Sequence, residues 1–176
     1  PFSLVHSTTV ATNALLERKG ARIALVTTEG FRDVLELGRQ TRPELYNLNV
    51  LRPEPLVPRR LRFEIPERVG ADGNIVRELD RKRLREVVGR IKRSGVESAA
   101  VSLLFSFLQP AHEKVVVEAL QKEGLNVSAS SDILPEFREY EGTSTTVLNA
   151  YVAPVMSRYL GQLQPSLKKA GCTKLR

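Results

Sequence analysis

Cysteine occurs once in the chain, at Cys172, tryptophan is missing, and histidine appears only at His6 and His112. A single thiol forms no intrachain disulfide, and one thiol with two imidazoles at unrelated spacing makes no zinc motif. Nothing points to an oxidising compartment, so the default expectation is the cytoplasm, with no metal held by this chain. Long apolar runs are lacking too. The longest nearly apolar stretch, Ala99 to Leu108, contains two serines and falls well short of the roughly 18 residues that span a bilayer. The chain opens Pro1-Phe2-Ser3, has its sole methionine at Met156 and shows no basic-then-apolar leader, so it reads as an excised piece of a longer protein.

What is present is an ordinary globular composition. In 176 residues, 41% are hydrophobic and 27% charged, enough for one domain or two small lobes sharing a core. The net charge is +7, and 13 basic against 7 acidic residues between Arg52 and Arg93 supply +6 of it. A patch of that kind can bind nucleic acid by releasing counterions. No aromatic interleaving or nucleic-acid motif accompanies it, so a solvated face is the expectation and a basic nucleic-acid-binding module stands as an alternative.

Three segments repeat one layout, a helical pattern closed by glycine and followed by an apolar strand, the rhythm of an α/β fold with parallel strands. The first is Thr9 to Arg18, Gly20, then Arg22 to Thr28. The second starts at Asp80 as N-cap, carries the stripe Leu84, Val87, Val88, Ile91, and passes Gly95 into Val96 to Leu104. The third has Pro110 in its first turn, turns Val115, Val116, Ala119 and Leu120 inward, stops at Gly124 and continues as Leu125 to Ala129. Between the first two lie five prolines, at 43, 53, 55, 58 and 66, which favour extended chain. Arg60 to Val69 and Asn74 to Leu79 flank Ala71-Asp72-Gly73 as a hairpin. After Ser131 the pattern predicts two helical stretches, Glu136 to Ala150 and Ala153 to Ala170, with Pro154 as a kink or break. The predicted fold class is thus α/β, a mixed and largely parallel sheet with flanking helices, a β-hairpin insertion and a C-terminal helical pair. The predicted organisation along the chain is a site-bearing segment to residue 50, a Pro-rich loop and hairpin over 51–79, an α/β subdomain over 80–130 and a helical segment from 131.

Three places carry residues suited to chemistry. In "VHSTTVATNALLERKG", His6, Ser7, Thr8 and Thr9 stand where a short strand gives way to a helix, and Asn13 follows one turn on. Free N–H groups, a positive dipole end and hydroxyls can hold phosphate or an oxyanion there, or Ser7 or Thr8 simply caps the helix. In "GRQTRP", after a short helical stretch from Phe31 to Leu37, Arg39 and Arg42 offer planar forks for carboxylate or phosphate, or are ordinary exposed arginines. In "LPEFREYEGTSTTVLNAYVAP", Glu139 and Glu141 are two apart and share no helix face, so they do not form an acid/base pair by spacing. The hydroxyls at 143 to 146 and Asn149 need partners within the helices or at a buried site. His112, in the first turn of a helix, reads as a surface or capping residue without a role.

At these segments the sequence resembles the hydantoinase A/5-oxoprolinase family. The runs "HSTTVATNALLERKGARIALVTTEGFRDVLELGRQTRPELYNL", "LVPRRLRFEIPERV" and "ILPEFREYEGTSTTVLNAYVAPVMSRYL" match that family's N-terminal region in order and spacing over nearly all of residues 4 to 165. Ser7 is a departure, standing where the family pattern has glycine. The resemblance implies a fragment of an actin/hexokinase-like ATPase fold. It also implies an enzyme that opens hydantoin-like or 5-oxoproline-like rings with ATP and Mg2+ through a phosphorylated carbonyl, together with a hydantoinase B-like subunit or domain. The runner-up implied by the same resemblance is a subunit of an acetone or acetophenone carboxylase. The family's phosphate motifs are expected beyond both ends of the chain, which would leave the fragment alone inactive. By the resemblance, His6, Thr8, Thr9 and Asn13 are placed near phosphate or carbonyl and Arg39 and Arg42 near substrate, with both groups facing one cleft.

Overall fold

The repeating helix–glycine–strand units fold as their patterns require. The computed structural model describes residues 2–4, 6–41, 46 and 54–175, with 2–4 and 172–175 described by their backbone. In the first unit α1 (Val10–Leu16) leads through Gly20 into β2 (Ile23–Thr28), all six of whose residues are buried. A short strand β1 (Phe2–Leu4) precedes it, and α2 (Val34–Leu37) follows. The stretch read as one arm of a hairpin divides in two: β3 (Arg62–Ile65) joins β2 in parallel, and only β4 (Arg68–Val69) pairs antiparallel with β5 (Ile75–Arg77). The division falls at Pro66, which has no backbone N–H to continue a ladder.

The second unit is α3 (Arg81–Arg93) followed by β6 (Ser98–Ser102). The Asp80 carboxylate accepts from the Lys82 and Arg83 backbone amides, and Leu84, Val87, Val88 and Ile91 are buried. Gly95, with φ +67, supplies the left-handed turn between them. The third is α4 (Ala111–Gln121) and β7 (Asn126–Ala129), followed by the short α5 (Ser130–Ile133). Strand order is β3-β2-β6-β7, all parallel, and the two central strands are buried from end to end, as expected of a sheet covered on both faces. Helices α3 and α4 pack on one face and α6 (Glu139–Lys169) lies across the other. β1 pairs in parallel with β8 (Cys172–Leu175) outside this sheet.

The expected C-terminal helical pair is one helix. Pro154 sits inside α6 without ending it, because Ala150, Tyr151 and Pro154 are all buried and the packing holds the helix through the missing hydrogen bond. The Tyr151 carbonyl accepts from the Ala21 N–H at 2.9 Å, tying the helix to the start of β2.

Candidate functional site

From β2 the chain passes to β3 on one side and then crosses to β6 on the other, so the C-terminal ends of β2 and β6 flank the point where strand order reverses. Ligands of open α/β sheets gather at such points. Here a small cleft of about 30 Å³ opens between Thr27, the loop Ser102 to Phe107, Ser130, α2 and the first turn of α6.

The floor is built from hydroxyls at strand ends. Ser102 Oγ and Thr143 Oγ1 lie 2.8 Å apart, and Ser106 Oγ and Ser130 Oγ 2.9 Å apart, all four side chains buried. Below them two buried carboxylates hold the loops. Glu113 accepts from the Leu103 amide at 3.1 Å, the Ser130 hydroxyl at 2.8 Å and the Ser131 amide at 2.8 Å. Glu67 accepts from the Thr28 hydroxyl, whose oxygen in turn accepts from the Leu104 amide at 2.9 Å. His112 Nδ1 lies 2.8 Å from the second Glu67 oxygen. Between these anchors Phe105 adopts φ +56, a conformation that costs a bulky residue energy and that the anchors impose.

His112 corrects the reading of a surface or capping residue. It is 5% exposed, because the first turn of α4 packs across the strand ends against the connection leading into the hairpin. Glu113, fully buried, gave no sequence signal beyond its place in a first turn after Pro110. The hydroxyls at 143 to 146 did signal a need for partners. Thr143 meets Ser102, Thr146 donates to the Gly142 carbonyl, and Asn149 donates to Ser128.

The residues singled out from the sequence fall in two groups. His6 Nε2 lies 2.6 Å from the Tyr159 hydroxyl, with the two rings stacked. Thr8 Oγ1 accepts from the Val10 amide at 3.2 Å, the Asn13 amide group reaches Thr9 Oγ1 at 3.5 Å, and His6, Thr8, Thr9 and Asn13 are all exposed. Arg39 instead binds Glu141, Nε and Nη2 each 2.6 Å from Oε1. The Glu141 carboxyl is held below the usual carboxylate range by its own backbone amide first and by Arg39 second. Arg42 lies outside the described residues.

The two groups do not share a cleft. Tyr159 and Glu141 are eighteen residues apart on α6, about 27 Å at 1.5 Å per residue. The helix runs from the C-terminal edge of the sheet, where Thr143 meets Ser102, to the opposite edge, where Arg158 meets Glu97 ahead of β6. The physical reason is the length of α6, which carries the His6 contact past the N-terminal edge. Arg39 lines a second, wider groove of about 770 Å³ beside the start of α6, with Leu35, Leu56, Tyr140, Val147 and Leu148 among its walls. Among the described residues no three His, Cys, Asp or Glu side chains gather closely enough to hold a metal ion, and no helix is long and apolar enough to cross a membrane.

Comparisons with known proteins agree with this architecture. An uncharacterized protein of Methanocaldococcus jannaschii is 43% identical over 173 residues, covering 96% of this chain and 25% of the relative. The acetophenone carboxylase gamma subunit of Aromatoleum aromaticum is 37% identical, covering 94% and 25%. The crystal structure of the ATP-dependent caprolactamase from Pseudomonas jessenii superposes with a TM-score of 0.92 at 31% identity, over 99% of this chain and 26% of that one. This is consistent with the expected actin/hexokinase-like fold. The chain thus spans about a quarter of the length of these relatives. The family model for the hydantoinase/oxoprolinase N-terminal region matches residues 2–124, and the chain belongs to that family.

Proposed function

We propose that the chain is part of an ATP-dependent cyclic amidase that opens hydantoin-like or 5-oxoproline-like rings, working with a hydantoinase B-like subunit or domain. The observation that carries this reading is the close superposition of nearly the whole chain on an ATP-dependent caprolactamase, an enzyme named for a cyclic amide. A switch-point cleft floored by hydroxyls and walled in part by Phe31, Val34 and Leu134 supports it, since ligands of open α/β sheets gather at such a place.

ATP with Mg2+ belongs to the same reading, but the cleft does not fit them. Its charged lip is Glu136, Glu139 and Arg138, two carboxylates against one guanidinium, which repels a triphosphate, and among the described residues no metal-ligating cluster stands beside it. No step through the nucleotide is therefore assigned to these residues, and the phosphate clamp belongs to other parts of the protein. The second reading, a carboxylase subunit, is favoured by the likeness to the acetophenone carboxylase gamma subunit.

The test is ADP release by the full-length protein with its partner, offered hydantoin, N-methylhydantoin, 5-oxoproline, ε-caprolactam, acetone and acetophenone in turn. Stimulation by a cyclic amide with ring opening supports the amidase. Stimulation only by ketones, with bicarbonate present, favours the carboxylase.

A further inference from the structure

The cleft holds a glycine that the fold does not need. Gly142 lies in the first turns of α6, is buried against the cleft, and lacks the positive φ that would demand glycine. A Cβ placed there would meet no atom within 4 Å beyond its own turn of helix. Gly20 shows the opposite case: a Cβ would stand 2.2 Å from the Tyr151 ring, so packing explains it. Glycine inside a helix is unfavourable relative to alanine. At Gly142 that cost leaves open space on the cleft wall.

Beside this space stands an incomplete hydrogen-bond pair. Ser102 and Thr143 each carry one hydroxyl hydrogen, and only one of the two can lie between their oxygens. The other has no protein acceptor among the described residues, although the side chains are only 8% and 4% exposed. A buried donor without an acceptor is costly. An acceptor seated over Gly142 would satisfy it.

The surroundings narrow the chemistry. Glu136 and Glu139 outnumber Arg138 at the lip, which disfavours a free carboxylate or phosphate, while Phe31, Val34 and Leu134 offer apolar wall. A ring amide has its C=O and N–H on one edge, an acceptor for the spare hydroxyl and a donor for a lip carboxylate, with methylenes for the apolar wall.

We propose that the space over Gly142 seats an uncharged cyclic amide, its carbonyl oxygen accepting from the Ser102–Thr143 hydroxyl pair. This rests on the cyclic-amidase reading and assigns its substrate pocket. The test uses the full-length protein with its partner, with hydantoin and ε-caprolactam as probes and 5-oxoproline as the charged comparison. Gly142→Ala should leave the melting temperature unchanged or raised while KM for the neutral amide rises tenfold or more. Thr143→Ser, which keeps the hydroxyl, should retain turnover that Thr143→Val loses. If the wild type shows no amide-dependent ADP release, the cyclic-amidase reading fails. If it shows release and Gly142→Ala keeps wild-type KM, or 5-oxoproline is the better substrate, that reading survives and the pocket assignment is overturned.

Discussion

The two edges of the central sheet are built by different means. At the N-terminal edge, where α6 crosses the start of β2, closure is by close packing: Gly20 lies against the Tyr151 ring and the Ala21 amide donates to the Tyr151 carbonyl. At the C-terminal edge the chain instead buries Thr28, Glu67, Ser102, Ser106, His112, Glu113, Ser130 and Thr143 and joins them through side-chain bonds, which leave His112 Nε2 and one hydroxyl hydrogen of the Ser102–Thr143 pair without a hydrogen-bond partner among the described residues. A fold seeking only stability would fill such a position with apolar side chains, because buried polar groups roughly break even at best. The difference teaches that the C-terminal edge is shaped to hold loops in place around a cleft.

Breaking the polar edge should have the largest effect. Glu113→Ala strands two backbone amides and one hydroxyl in the interior and should cost about 3–5 kcal/mol in urea unfolding. A loss under about 1 kcal/mol would mean that water replaces the carboxylate without penalty. At the packed edge, Gly20→Ala pushes a methyl into the Tyr151 ring and should cost about 1–3 kcal/mol.

A smaller effect lies away from both edges, at the Asp80 cap of α3. The Arg83 backbone amide, with that of Lys82 adding to it, holds the Asp80 carboxyl below its usual range. Because the folded value is the lower one, the cap's contribution is complete above the ordinary carboxylate value of about 4 and fades as pH falls through the folded value. Asp80→Ala should lower the melting temperature at neutral pH, with the gap to the wild type closing at acid pH, below the ordinary carboxylate value. An equal gap at both pH values would rule out the charged cap as the cause. The smallest effect is expected on the exposed face of the same helix, where Arg81, Lys82 and Arg85 point to solvent. Reversing all three to glutamate should leave full-length activity within a few-fold, and a hundredfold loss would reveal a ligand on that face.

Much of the frame was legible because it rests on local rules. The stripe Leu84, Val87, Val88, Ile91 with its Asp80 cap and Gly95 stop predicted α3, and the apolar runs predicted β2 and β6. Local rules misled where tertiary packing overrode them. Pro154 marked a break, but the burial of Ala150, Tyr151 and Pro154 itself keeps α6 whole. His112 looked like a surface residue because its partner Glu67 is 45 positions away in sequence. The cleft itself was only half visible: the hydroxyls at 143 to 146 called for partners, but Ser102 lies 41 positions before Thr143 and only the sheet brings them together. His6 and Arg39 were grouped by resemblance, and the length of α6 separates them.

The central claim is that ligand engages the C-terminal edge. Hydrogen–deuterium exchange of the full-length protein with its partner, compared with and without a turnover-supporting cyclic amide in the absence of nucleotide, tests it directly. Peptides covering 102–108 and 138–146 should gain protection while 6–16 and 150–160 stay unchanged. Protection confined to 6–16 and 150–160, with 102–108 and 138–146 unaltered, would contradict it.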